Sequence, residues 1–423
     1  MGIKLDWQTS SGKDRQTSSG EDPASRAKRR SAQRRFVLFI IGIALAGIGI
    51  VGAALLRLRE VDTTLQAGLR VSVENEVTAL RLGDRAAFLD AQWRSEGDPD
   101  VTAGWVSVQQ NAFDSYQTLK LQQDVTLTGR VLDVTLDGQN GRVHIEEIID
   151  GVPYGVIWFY WRFDEGWRHV PPAYGFWGDA GMFEDAGERF AVVYRSVDAP
   201  IAAAMATELP RGFDALCALF ACGGLPAITV EIVPDPDLTP GWSADDPWRV
   251  RLPSPYVTRA RLDIPFEGAL RSDLAGLITR RWTDAITVDP GTDAAYLRGA
   301  VEAYLIEEFS GVDTGSHLIT SLIENYGTLA AARLIDSLTP DTRIGVLGGI
   351  ASEPLDVIRL DWRDYLGYLL RREGASGIEV TSVIRESTAE GRTALRAIVT
   401  GQGIGTTEIV FVLTEENQWR RAE

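Results

Sequence analysis

The groups able to carry acid–base or metal chemistry are few, and their spacing limits what they can do together. The chain has three histidines, His144, His169 and His317, each more than 20 residues from the next, with no second His or Cys at ligand spacing. A zinc centre needs imidazoles or thiolates that converge, as two His one helical turn apart do. His144 in VHIEEI shares a strand face with Glu146, which makes half a metal site or an ordinary hydrogen-bonded strand histidine. His317 follows Gly315-Ser316 and reads as a helix N-terminal residue. TGSH (314–317) puts a Ser beside a His, but adjacency in sequence does not build a triad. No nucleophile elbow occurs, no G-x-x-x-x-G-K-[ST] or G-x-G-x-x-G occurs in context, and GQGIG (401–405) reads as a turn. Asp235, Asp237, Asp245 and Asp246 lack the regular oxygen spacing of calcium loops and read as a solvated acidic loop. No catalytic residue, metal ligand or cofactor is therefore assigned.

The two cysteines, Cys217 and Cys222 in DALCALFACGG, are five apart at what reads as a helix end. An oxidising exterior favours a disulfide clipping the helix to its Gly-Gly turn; the alternative is two buried thiols. Lys120 is the single lysine beyond residue 35, which leaves Schiff-base chemistry almost no candidate. The densest concentration is aromatic. Trp158, Phe159, Tyr160, Trp161, Phe163 and Trp167 fall within ten residues, and Tyr174, Phe176 and Trp177 follow closely. Strand alternation sends Trp158 and Tyr160 one way and Phe159, Trp161 and Phe163 the other. One set must fill a core, the other must be covered by a neighbour, and either could line an apolar pocket.

The elements that position these residues come in order. Apolar residues at helical period run through Val71–Trp93, and a second amphipathic stretch covers Trp105–Leu119. Strand-like runs follow at Val125–Leu136, Arg142–Ile149, Tyr154–Phe163 and Trp167–Val170. A strand at Glu188–Tyr194 and a helix over Asp198–Phe220 open a second unit, with Asp198 as N-cap and Pro210 and Gly212 expected to kink or split the helix. Strands Ile228–Val233 and Trp248–Pro253 come next. Helices Phe266–Ile286, Ala294–Phe309, Ser316–Tyr326, Leu329–Leu338 and Leu360–Arg372 then lead to strands Ile378–Glu386, Thr393–Thr400 and Glu408–Leu413. The fold class is α+β.

The runs GDRAAFLDAQW (83–93), WFYWRFDEGWRHVPP (158–172) and FWGD (176–179) resemble a nuclear transport factor 2-like (SnoaL-like) domain over residues 62–180. The resemblance implies a curved sheet wrapped by helices into a cone-shaped barrel, with a pocket whose candidate lining is Trp158, Tyr160, Trp167 and His169. Fold alone implies no reaction. Residues 186–360, with ITVEIV, RLPSPYV and a following helix, resemble peptidase MA-like (gluzincin) domains of membrane-anchored bacterial proteins. That family holds zinc with two His on one helix and a Glu on the next. Here the first helix reads LAGLITRRWTD (274–284), without His, and the second reads YLRGAVEAYL (296–305), with Gly299 and Ala303 where the glutamates belong. Glu302 is one position off, about 100° around the helix. The resemblance implies a metal-free, inactive relative. Residues 361–423 form a helix and antiparallel strands, either a partial second cone, since NQWRRAE (417–423) is similar to EGWRHVPP (165–172), or an added sheet on the middle unit.

Phe36–Leu56 is 21 residues without a charge, enough for a helix of about 30 Å, the hydrocarbon thickness of a bilayer. It exceeds the apolar core of a signal peptide, and no small-x-small cleavage site follows. The span therefore reads as a single transmembrane helix. Six basic residues crowd Arg26–Arg35, which predicts a cytoplasmic N-terminus, contact with anionic lipid headgroups, and an extracytoplasmic body from residue 57 on. Thr9–Gly20 in the 1–35 tail is expected to be disordered. The 423-residue chain carries −17, and everything after residue 35 carries 33 basic against 55 acidic residues, so a nucleic-acid partner is not expected. The sequence thus predicts a membrane-anchored binding or scaffolding protein. The competing readings are a hydrolase with an unrecognised metal-free site and a sensor of a small apolar ligand.

Overall fold

The computed structural model describes residues 23–94, 99–388, 391–401 and 405–422. The expected tail Thr9–Gly20, residues 402–404 of the expected turn and the side chains of Arg26–Arg35 lie outside that description. Two compact units divide the chain, Met1–Gly68 and Leu69–Glu423.

The apolar run lies in α1 (Pro23–Leu82), a helix of 60 residues and, among the described residues, the one helix long and apolar enough to cross a membrane. Phe36, Phe39, Ile43, Leu45, Ile48, Val51 and Leu56 are all exposed on it. No polar side chain interrupts them, so this surface has no aqueous partner of its own.

In the second unit, the end of α1 with α2 (Arg85–Asp90) and α3 (Pro99–Gln122) precedes a meander of β1 (Val125–Asp137), β2 (Asn140–Ile149), β3 (Val152–Phe163) and β4 (Gly166–Val170). Pairing is antiparallel throughout. The sheet stays open among the described residues: β1 ends one edge, and β4 occupies part of the free edge of β3. Alternation gives the sheet two faces. Leu69, Val73 and Val77 of α1 are buried with Val143, Ile145 and Tyr160 on one, while Ile157, Phe159 and Val170 join the larger core on the other.

That larger core belongs to a second sheet. β5 (Ala180–Glu184) and β6 (Phe190–Arg195) lead through α4 (Ala199–Phe220) to β7 (Ile228–Val233), β8 (Gly241–Trp242) and β9 (Arg249–Pro253). The order is β5-β6-β7-β9-β8, with β6, β7 and β9 parallel and both edge strands antiparallel. A short strand, β10 (Ala260–Arg261), then pairs with Tyr154 and Gly155 of β3, so the first sheet gains a strand from far along the chain. α4 is one continuous helix through Pro210, so the split that the sequence allowed there does not occur.

Helices α5 (Gly268–Thr283), α6 (Asp293–Ser310), α7 (His317–Tyr326), α8 (Thr328–Ser337) and α9 (Val346–Ala351) follow. α10 (Arg363–Arg372) then precedes an antiparallel meander of β11 (Ile378–Ser387), β12 (Thr393–Gly401), β13 (Gly405–Leu413) and β14 (Trp419–Arg421). Trp362, Tyr365 and Leu366 pack on this sheet with Trp419 and Phe411.

Candidate functional site

The aromatic strand and the helices above it meet in a buried polar cluster. Glu76, on α1, is 1% exposed and faces Tyr160 and His169 on the sheet. Its Oε1 accepts from Gln92 Nε2 at 2.8 Å and lies 2.7 Å from His169 Nδ1; its Oε2 accepts the Tyr160 hydroxyl at 2.8 Å. Burial, followed by the adjacent Glu76 charge, holds the Tyr160 phenol well above its ordinary range, so it remains a donor. His169 stacks between rings: Trp158 at 5.0 Å, Tyr160 at 5.1 Å, and the Trp105 edge at 5.5 Å. A carboxylate on Nδ1 is the arrangement that orients a general base. Here it sits within a packed stack and ties Gln92, β3 and β4 to one carboxylate on α1. Three of the four expected pocket residues, Trp158, Tyr160 and His169, are thus gathered around Glu76 and against one another. Trp167 is buried on the same face, near Leu69 and Gly141.

The opposite face of the same strands opens into a cleft of about 700 Å³. Arg142 and His144 of β2, with Asp133 and Thr135 of β1, border it from the sheet; Phe176, Gly178, Asp179 and Ser196 border it from the segment before α4. The register pairs Thr135 with Arg142 and Asp133 with His144, so these side chains share one face by strand alternation. Arg142 is only 7% exposed. Its Nη1 donates to the Phe176 carbonyl at 3.0 Å and its Nη2 to Thr135 Oγ1 at 2.9 Å, both neutral acceptors. The guanidinium also lies 5.4 Å over the Phe176 ring. No carboxylate pairs with it among the described residues, while Asp133, Asp137 and Asp179 are exposed around it. Gly178, at φ +106°, keeps that wall open, because a Cβ there would overlap Ser196 Oγ and approach Arg142 Nη1 to 3.2 Å.

Beneath the cleft, Asp198 is fully buried. It occupies the N-cap position of α4, but its side chain makes no cap bond. It accepts instead from Trp177 Nε1 at 2.9 Å and from the Ser254 hydroxyl, because the chain folds those donors over it. Burial pushes its carboxyl up to about 6, against the lowering effect of these donors and of Arg142. His144 goes the other way: burial pushes its imidazole down to about 4. Its Nε2 is buried without a partner, packed over Gly155, where any Cβ would collide with it, and its ring meets Tyr256 edge-on at 5.2 Å.

The remaining sequence candidates are structural. Glu146, the expected companion of His144, instead pairs with Arg130 and Thr128. His317 begins α7, beside Asp364 of α10, whose carboxyl is raised by burial. Cys217 and Cys222 are joined, with Cα atoms 4.8 Å apart. α5 bears no His, and Glu302 of α6 lies 3.4 Å from Arg298. Arg281 of α5 lies over Trp242 and Trp248 instead, at 5.1 and 5.3 Å. Among the described residues, no group of three or more His, Cys, Asp or Glu could hold a metal ion.

No protein-family model, curated protein or solved structure matches the chain. The site therefore rests on its own geometry. The sequence reading missed Arg142 and Glu76. Their only sequence signals are a lone Arg within a strand and a lone Glu within an apolar helical stripe.

Proposed function

We propose that the protein is a single-pass membrane protein with a cytoplasmic N-terminus, whose extracytoplasmic body binds a small polar ligand without transforming it. In this reading the basic segment before the span lies on anionic headgroups. The first sheet and its helices are a nuclear transport factor 2-like domain, and the middle region is a metal-free relative of gluzincin peptidases. One observation carries the binding reading: the buried Arg142 guanidinium at the cleft hydrogen-bonds to neutral acceptors and, among the described residues, forms no ion pair. A buried charge left in that state is poised for a ligand, since breaking or omitting its pair is costly. The groups best arranged for catalysis, Glu76 and His169, are instead consumed in holding helices to the sheet.

The test uses the full-length protein in detergent micelles. Melting is followed in the presence of small polar compounds, for the wild type and for Ser196→Trp, which fills the cleft. Compounds that raise the melting temperature of the wild type and not of the variant support the reading. If no compound does so, or if the shifts survive in Ser196→Trp, the cleft is not a binding site.

A further inference from the structure

The charges around the cleft have a sign pattern that selects among ligands. One guanidinium lies at its base, and three exposed carboxylates, Asp133, Asp137 and Asp179, stand around it. Asp133, Asp179 and the buried Asp198 are the charges Arg142 feels most strongly, yet burial still outweighs them and its guanidinium is held below its ordinary range. None of the three comes close enough to form an ion pair with it. A simple anion approaching Arg142 must pass three like charges. A simple cation welcomed by those carboxylates must come to rest beside a guanidinium. A molecule carrying both charges on neighbouring atoms meets each with its opposite.

We propose that the cleft binds a free amino acid, with its carboxylate on the Arg142 guanidinium and its ammonium among Asp133, Asp137 and Asp179. This rests on the reading of the cleft as a binding site. The guanidinium presents a planar fork of donors suited to a carboxylate, and its two neutral acceptors can be kept or exchanged as the ligand seats. Ile157, Phe176 and Tyr256 supply apolar wall for a side chain. The volume falls within the ~300–1,000 Å³ common for small-molecule sites. Gly178 matters for the same reason: a Cβ at that position would crowd the guanidinium face the carboxylate needs.

The experiment is calorimetric titration of the full-length protein in micelles with L-phenylalanine, L-alanine and glycine. Alongside them run 3-phenylpropionate, which lacks the ammonium, and phenethylamine, which lacks the carboxylate. Loss of one charged contact is worth roughly 10- to 100-fold in affinity. The amino acid is expected to bind that much more tightly than either half-charged analogue. Asp179→Asn, an exposed change that leaves the core intact, should bring L-phenylalanine and 3-phenylpropionate closer together. Arg142→Gln should abolish binding of both. Binding of 3-phenylpropionate as tight as that of L-phenylalanine, lost in Arg142→Gln, would overturn the amino-acid assignment and leave the cleft a binding site for anions. Tight binding of phenethylamine alone would overturn it in favour of cations. Absence of binding by every one of these compounds would overturn both readings.

Discussion

A half-buried histidine and a buried aspartate beside the cleft respond to acid in opposite directions, and their removal should separate the two responses. His144 ordinarily titrates near 6.5 and is held down to about 4 by burial. Between those values the unfolded chain takes up a proton that the native protein refuses. The stability His144 contributes is therefore complete above pH 6.5 and is lost as pH falls through 4. Asp198 ordinarily titrates near 3.8 and is held up to about 6, so between pH 6 and 3.8 the native protein keeps a proton that the unfolded chain has lost. Its contribution is complete below pH 3.8 and is lost as pH rises through 6. At about 1.4 kcal/mol for each pH unit, either displacement amounts to about 3 kcal/mol. In the wild type the two nearly offset each other. His144→Phe leaves Asp198 alone, so between pH 7 and pH 4 this variant should gain about 3 kcal/mol relative to wild type. Asp198→Asn should lose about as much over the same interval. Urea unfolding of the full-length protein in micelles, followed by tryptophan fluorescence at stepped pH, reads both. Only the pH dependence of each difference is compared, so any constant packing cost of the substitutions drops out. A difference from wild type that stays flat within about 0.5 kcal/mol for both variants would refute the assignment of these protonation states.

Glu76→Ala strips the acceptor from Gln92, Tyr160 and His169 at once, and should cost at least about 3 kcal/mol in the same unfolding assay; a loss below about 1 kcal/mol would mean that the cluster does not hold α1 to the sheet. Gly212 of α4 faces the Phe309 ring of α6 so closely that a Cβ would overlap it, and Gly212→Ala should cost about 1–3 kcal/mol. Pairing it with Phe309→Leu should recover part of that loss, and no recovery would place the damage elsewhere. Replacing both Cys217 and Cys222 by Ser opens a short loop and should lower stability by about 2 kcal/mol, an effect that reductant should reproduce in the wild type and not in the variant. Placing Asp at Ile43 and Ile48 should release the protein from membranes under carbonate extraction; full retention would show that α1 is not what holds it there.

The sequence alone determined what depends on composition and period. A charge-free run of 21 residues becomes one long apolar helix whatever the rest of the chain does, because its backbone bonds are local. Alternation alone decides that Trp158 and Tyr160 face away from Phe159, and the structure puts the first pair toward Glu76 and the latter against Trp177. The C-terminal strands β11, β12 and β13 were equally legible, since each run is long enough to declare its period, whereas the three-residue β14 was not. Short elements were not: the two-residue strands β8 and β10 have no period to read, and they exist only because an edge was waiting for them. The site belongs wholly to tertiary structure. Nothing local to Glu76 announces that His169, 93 residues on, will stand 2.7 Å away. Nothing local to Arg142 says that its charge will be buried against a carbonyl 34 residues on, with no carboxylate paired to it among the described residues. Nor does the start of α4 reveal that Asp198 will leave its cap for Trp177 and Ser254. A side chain's ionisation and partners are set by whatever the fold brings within a few ångströms, and that follows from how the sheets and helices pack, not from the order of residues along one of them.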